Sequence, residues 1–209
     1  VWYYAKEFDI WRRDGEPESG FASQDFMGVA VITPSMRVTG WYFMVVAALF
    51  VLQVLLGMVT AHYAVEGQGI YGLPFAEYFP YAVTRTWHTQ LAILWIAAAW
   101  LATGLYVGPL LGGREPKFQA AGVWFLLVSL VVIVAGSFIG EWSAVNRLIA
   151  DATQNFWFGH QGYEFLDLGR FWQIYLFIGL LLWVALVLRG MWPALKQPQT
   201  RSLLYLVIV

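Results

Sequence analysis

Residues 85–111 read RTWHTQLAILWIAAAWLATGLYVGPLL, a long apolar stretch that opens with an arginine and a histidine. A helix needs about 20 residues to cross the hydrocarbon core of a bilayer. Backbone groups in lipid must be satisfied within the segment, so this stretch predicts a transmembrane helix, Arg85–Leu111. Ionisable side chains are costly in that environment and tend to be functional. His88 is therefore where we expect the chemistry of this chain.

Three further stretches of similar length and composition flank the first, and the sequence predicts an all-α membrane protein, a transmembrane helix bundle. Gly112-Gly113 and Pro116 indicate a tight turn after the span that carries His88. Thr39 and Thr84 are candidate N-caps, and Pro193 is a candidate helix stop. The three further spans are Gly40–Tyr63, Phe118–Trp142 and Leu168–Trp192.

The composition supports this class. Hydrophobic residues make up 60% of the chain and charged residues 12%, whereas soluble domains carry about 25% charged residues. The net charge of −1 argues against nucleic-acid binding, which needs a basic surface. The absence of cysteine excludes disulfides, covalently attached haem, iron–sulfur clusters and thiol catalysis within these residues.

Lysine and arginine alternate between the connections, which predicts the orientation. Residues 1–39 hold four, 64–84 none, and 143–167 only Arg147, while the connection after the second span and the segment after the fourth are basic again. The positive-inside rule then places residues 1–38 in the cytoplasm and the connections 64–84 and 143–167 on the outer face of a bacterial or archaeal cytoplasmic membrane.

Both ends of the chain resemble cut ends. Val1-Trp2-Tyr3-Tyr4 is typical of the aromatic exit of a preceding span. The apolar run at about 202–209 is too short to cross a bilayer and resembles the start of a fifth span. We expect an interior piece of a longer protein, with residues 39–209 as its transmembrane core.

Arg85 and His88 lie three residues apart on one helix face. A neutral imidazole is a common axial ligand of b-type haem iron, and a guanidinium pairs with carboxylates such as haem propionates. The alternative is an interfacial histidine beside an arginine that reaches the headgroups. His62 is a second candidate ligand or an interfacial residue. Glu141 is expected at the interface as well, with membership of a proton path as the alternative.

The segment 156–171 holds a second cluster of polar and aromatic residues. If a helix begins near His160, then Glu164, Asp167 and Phe171 share its face. A base, two carboxylates and aromatic walls suit a quinol, which releases two protons. The same carboxylates suit calcium or a position near haem propionates, and a solvated amphipathic loop is the simplest alternative.

These residues resemble a known family. Residues 84–92 read TRTWHTQLA and 155–164 read NFWFGHQGYE, which look like the quinol-dependent nitric oxide reductases of the haem–copper oxidase superfamily. Residues 61–63 (AHY), 65–69 (VEGQG) and 167–173 (DLGRFWQ) are also similar. The resemblance covers essentially all of the chain.

The resemblance implies a denitrification enzyme that reduces two molecules of NO to N₂O and water with electrons from membrane quinol. Its cofactors are low-spin haem b, haem b3 and a non-haem iron. His88 matches an axial ligand of the low-spin haem, and Arg85 matches a residue beside its propionates. Glu164 matches a glutamate near the propionates, where relatives hold calcium. His160, Glu164 and Asp167 fall in the quinol-binding region.

The resemblance also implies that ligands are missing from this chain. In that family the three histidines and the glutamate that hold the non-haem iron lie on later helices, as do the haem b3 ligand and the second low-spin ligand. This chain has three histidines, so the remainder of the polypeptide must complete the centre, with lipid and quinol as the other partners. The sequence leaves the choice of quinone and a homodimer open. An oxygen reductase and a non-catalytic haem b anchor are the alternative functions.

Overall fold

The computed structural model describes residues 31–69, 72–160 and 168–196, which form helices joined by loops. The short helices are α2 (Phe75–Tyr78) and α5 (Ala152–Phe158), and the long ones are α1 (Pro34–Glu66), α3 (Tyr81–Gly112), α4 (Gln119–Val145) and α6 (Arg170–Leu195). Each long helix is apolar and long enough to cross a membrane. The predicted all-α transmembrane bundle with four complete spans is confirmed. Residues 1–30 and the predicted fifth span at 202–209 lie outside the described residues.

The first two spans extend beyond the predicted bounds at both ends, whereas the last two begin one and two residues later than predicted and end three residues later. Thr39 is not the cap of the first span. Thr33 is the N-cap of α1, and its hydroxyl accepts a hydrogen bond from the Met36 N–H at 3.4 Å. Thr39 lies inside the helix, where its own hydroxyl donates to Met36 O at 2.6 Å. The polar first turn remains helical because it is buried: the Ser35 N–H donates to Glu115 Oε2 at 3.1 Å.

The other predicted helix signals gave mixed outcomes. Thr84 is not the cap of α3, which begins at Tyr81 after Pro80. Pro193 does not stop the last span, because α6 continues to Leu195; at the end of a helix few further hydrogen bonds are lost to a proline. The turn prediction is confirmed, since α3 ends at Gly112 and Gly113 has a left-handed φ of 68°.

Helix α3 packs against α1, α4 and α6. Three glycines spaced one turn apart, Gly104, Gly108 and Gly112, let α6 approach α3 closely. A Cβ atom on Gly108 would lie 3.3 Å from the backbone oxygen of Val187. Small residues at such a spacing are typical of membrane helix interfaces, where backbone contact replaces the hydrophobic effect as the source of affinity. This glycine seam fixes α3 against α6 over the half of α3 distant from His88.

The second and fourth connections meet at one end of the bundle, which we call the His88 end. It comprises the last turns of α1 and α4 and the first turns of α3 and α6. Trp142 Nε1 donates to Tyr78 O at 2.7 Å, and Trp172 Nε1 donates to Phe158 O at 3.0 Å. The described parts of these two connections therefore lie at the same end of the bundle, as the sequence predicted. The side of the membrane that this end faces stays a prediction.

Candidate functional site

His88 projects from α3 toward α1, and one of its ring nitrogens has a fixed role. Its Nδ1 lies 2.8 Å from the backbone oxygen of Gln53. A carbonyl oxygen only accepts hydrogen bonds, so Nδ1 must carry the hydrogen and donate. In the neutral ring the lone pair is then on Nε2. Among the described residues, Nε2 has no hydrogen-bond partner.

The ring of His88 occupies space that Gly57 leaves open. A Cβ atom on Gly57 would lie 2.7 Å from Cε1 and 3.0 Å from Nδ1 of His88. Gly57 follows Gln53 by four residues, so the two lie on the same face of α1. Gln53 supplies the acceptor for the His88 N–H, and Gly57 leaves space for the His88 ring.

Gln53, whose backbone oxygen accepts the hydrogen bond from His88, is also bound to α3 through its side chain. The side-chain oxygen of Gln53 accepts a hydrogen bond from Trp95 Nε1 at 3.0 Å. The Trp95 ring meets Phe50 edge-on, with 5.3 Å between ring centroids. Gln53 thus bonds to α3 through its backbone and through its side chain. We did not predict Gln53 or Gly57 from the sequence, although a glutamine within a run of valine and leucine is a detectable signal.

This arrangement fits the coordination of a metal by His88. A histidine that ligates a metal commonly donates its other ring N–H to a carbonyl or carboxylate, which fixes the tautomer and the ring orientation. The bond from Nδ1 to Gln53 O has that form. Within residues 31–69, 72–160 and 168–196 no group of three or more histidine, aspartate and glutamate side chains is placed to hold a metal ion.

Arg85 lies nearly one turn before His88 on α3, as the sequence spacing predicted. The side chain is half-buried, and its guanidinium carbon lies 5.9 Å from the centroid of the Tyr81 ring. The backbone oxygen of Arg85 accepts a hydrogen bond from the Thr89 hydroxyl at 2.9 Å. The first turns of α3 therefore place a cation between His88 and the end of the bundle.

His62 makes local contacts at the end of α1. Its Nε2 lies 2.7 Å from Gly69 O, and its Nδ1 lies 3.4 Å from Glu66 Oε2. Both ring nitrogens have partners within the same connection. These contacts agree with the interfacial interpretation of His62 rather than with a second axial ligand.

His160 follows α5 and is not part of a helix. Its backbone N–H donates to Asn155 Oδ1 at 3.0 Å, and its backbone oxygen accepts a hydrogen bond from Asn155 Nδ2 at 2.9 Å. The Asn155 side chain thus binds both backbone groups of His160 and closes a turn there. The quinol candidates Glu164 and Asp167 lie outside the described residues.

Phe171, the fourth residue of the helix face predicted from His160 onward, lies in the first turn of α6. Its ring packs near Phe158, with 5.3 Å between centroids. The guanidinium carbon of Arg170 lies 5.5 Å from the centroid of the Phe156 ring. These three aromatic side chains are exposed, so α5 and α6 present an aromatic surface next to His160.

Glu141, which we expected at the interface, is buried within the bundle. Only 2% of its surface is exposed, and its carboxyl group faces Thr86 of α3. Gln90, one turn further along α3, is 3% exposed. Nothing local in the sequence distinguishes Thr86 or Gln90, because their burial depends on the packing of α4 against α3.

A model of the cytochrome c and quinol oxidase polypeptide I family matches residues 37–209. The chain belongs to this family of multi-pass membrane oxidoreductases, which bind haem and metal cofactors. Its predicted membership of the haem–copper oxidase superfamily is thereby confirmed. No curated protein matches the sequence.

Proposed function

We propose that this chain is part of a membrane quinol:nitric oxide oxidoreductase that reduces NO to N₂O. In this proposal it contributes one axial ligand of a low-spin haem b and much of the quinol-binding surface. Two features support the proposal beyond family membership: the resemblance of residues 84–92 and 155–164 to the quinol-dependent nitric oxide reductases, and the surroundings of His88.

The observation that carries the haem assignment is the hydrogen bond from His88 Nδ1 to Gln53 O. It orients the ring and leaves the lone pair on Nε2, which an axial ligand needs. When bound, haem b supplies a one-electron redox couple within the membrane. Arg85 would pair with a propionate, since a guanidinium binds carboxylates in a bidentate manner.

Quinol binding is proposed for His160, Glu164 and Asp167. Oxidation of a quinol releases two protons, so its site needs bases beside an apolar cleft. His160 would accept a hydrogen bond or a proton from a quinol hydroxyl, and Glu164 would pass protons away. The exposed rings of Phe156, Phe158 and Phe171 would form one wall for the flat quinone head. In the alternative to a role in quinol oxidation, the Glu164 carboxylate binds calcium.

The proposal places the His88 end on the outer face of a bacterial or archaeal cytoplasmic membrane, with residues 1–38 in the cytoplasm. Haem b3, the non-haem iron and the second low-spin ligand would be bound by the remainder of the same polypeptide or complex. The other partners would be lipid and quinol, and a homodimer is open.

A haem–copper oxygen reductase is the second candidate, and the description of the matching family, which names quinol oxidases, favours it. It would use the same low-spin haem site with a different metal centre. A non-catalytic haem b anchor is the third candidate and would need only His88 and one further ligand.

Optical and EPR spectra of the native membrane complex, reduced minus oxidised and with or without NO, test the proposal. We expect low-spin haem b signals, a high-spin haem that binds NO, and N₂O formation driven by quinol. Oxygen consumption without N₂O formation would establish the oxygen reductase. Low-spin haem b without any response to NO would establish the anchor.

A further inference from the structure

A group of buried polar side chains lies between α3 and α4 at the His88 end. Glu141 of α4 is 2% exposed, and Thr86 and Gln90 of α3 are each 3% exposed. The hydroxyl of Thr86 faces the carboxyl group of Glu141. Thr86 and Gln90 are four residues apart, so both lie on the face of α3 that meets α4. We call these three residues and the adjoining Trp87 the polar chamber.

Four atoms of the polar chamber are buried without a hydrogen-bond partner in the part of the chain that the structure describes. They are Glu141 Oε2, both terminal atoms of the Gln90 amide, and Trp87 Nε1. Buried polar groups in native proteins nearly always have a partner, which is often an ordered water molecule. The unpartnered atoms comprise donors on Gln90 and Trp87 and acceptors on Gln90 and Glu141. Water, which both donates and accepts, matches this set.

The packing around the polar chamber closes it to larger ligands. Trp87 stacks on Phe138, with 4.9 Å between ring centroids and 12° between planes. Trp142 donates from Nε1 to Tyr78 O at 2.7 Å, which ties the end of α4 to the connection before α3. Because protein atoms already bury the unpartnered atoms, a further helix could not reach them without separating α3 from α4. Water is small enough to enter.

The polar chamber also lacks a counter-charge for Glu141. Among the described residues Glu141 forms no ion pair, and its polar neighbour is the uncharged hydroxyl of Thr86. A carboxylate buried without a cation is strongly disfavoured in a membrane protein, so the neutral acid is the favoured form. The neutral acid needs an acceptor for its own hydrogen, and a water molecule provides one.

We propose that the polar chamber is an internal hydration site in which Glu141 is held as a carboxylic acid and water connects it to Gln90 and Trp87. It stores one exchangeable proton within the membrane part of the protein. The site lies on the face of α3 opposite to His88, because residues 86 and 88 are about 200° apart around a helix. The proposal therefore depends neither on haem binding nor on the proposed reaction.

Infrared spectra of the full-length protein in lipid test this proposal. The difference spectrum between wild type and Glu141→Gln should lose one carboxylic-acid carbonyl band per chain at neutral pH. The band should shift to lower frequency in D₂O, because an acid in contact with water exchanges its hydrogen. Glu77→Gln is the matched control: Glu77 is exposed, so removing an ionised carboxylate there should remove no acid band. An unchanged acid region in Glu141→Gln would show that Glu141 is ionised and would overturn the proposal.

Two further results test whether water contacts Glu141, the second with a variant that replaces Glu141→Gln if that protein does not fold. A band that is lost in Glu141→Gln but does not respond to D₂O would mean a dry acid, which also overturns the proposal. If Glu141→Gln does not accumulate, Gln90→Met replaces it, since methionine has a similar shape without hydrogen-bonding groups. We expect the Glu141 band to move to higher frequency as its water loses a partner. An unmoved band would refute the bridge between the two side chains.

Discussion

The substitution Gly57→Ala adds one methyl group against His88. The new Cβ atom would lie 2.7 Å from Cε1 and 3.0 Å from Nδ1 of the ring. An ordinary carbon–carbon contact is about 3.5–4.0 Å, so the ring or α1 must move by about 1 Å. The hydrogen bond of 2.8 Å from Nδ1 to Gln53 O cannot persist unchanged after such a shift.

The expected magnitude follows from three contributions. Overpacking in a filled interface costs about 1–3 kcal/mol, and the weakened hydrogen bond costs about 1 kcal/mol. Alanine gains about 1 kcal/mol over glycine in helix propensity, which offsets part of this cost. We expect a net destabilisation of about 1–3 kcal/mol. If His88 binds haem, a disturbed supporting hydrogen bond should also lower haem affinity by about 10–100-fold.

The assay is haem content per chain, together with the low-spin EPR signal and the thermal midpoint of the full-length protein. Gly40→Ala is the matched control, because Gly40 lies on the same helix with no atom within 4 Å of an added Cβ. The control should retain haem and stability. Equal haem content and equal thermal midpoints for the two variants would refute the packing argument. A lower midpoint in Gly57→Ala with unchanged haem would refute the haem assignment alone.

Three further predictions concern the assigned residues and the packing. His88→Ala should abolish the low-spin haem b spectrum of the full-length protein, whereas His62→Ala should preserve it; normal bis-histidine bands in the first variant would contradict the assignment. Glu164→Ala should impair quinol oxidation but leave reduction by artificial donors largely intact, and an equal loss with both donors would count against a quinol role. Gly136→Ala should lower stability by about 1–3 kcal/mol, since a tryptophan ring of α6 occupies the space of its missing side chain; Gly179→Ala, with open space around it, should leave the thermal midpoint unchanged.

The four spans were predictable because the property that a bilayer requires of a helix is contained in the helix's own sequence. A bilayer selects length and apolar composition, and each span shows both in its own sequence. The ends were less predictable, because polar residues do not end a helix when other helices cover them. Thr39 reads as a cap in isolation, but Glu115, far along the chain, binds the first turn of α1 and extends the helix past it.

The candidate site was predictable only in the part that its own helix carries. His88 and Arg85 are informative because a charge and an imidazole are unusual in an apolar span. Gln53 and Gly57 act through contacts across two helices, so their roles emerge only once α1 and α3 are packed together. Glu141 shows the same limit, since Thr86, which faces its carboxyl group, lies 55 positions earlier in the chain.

The glycine seam between α3 and α6 bears on the depth of His88 in the membrane. Gly104 lies 16 residues after His88, about 24 Å along the helix axis. Ring and backbone atoms of α6 fill the hollows at Gly104, Gly108 and Gly112, so α3 could slide only in whole turns of about 5.4 Å. If α3 moved along its axis by one turn, Trp100 would take the place of Gly104 opposite Trp183 of α6 and would clash with its ring. The depth of the His88 ring in the membrane can therefore change only in steps of one helical turn. Three glycines in the opposite half of the bundle set these steps.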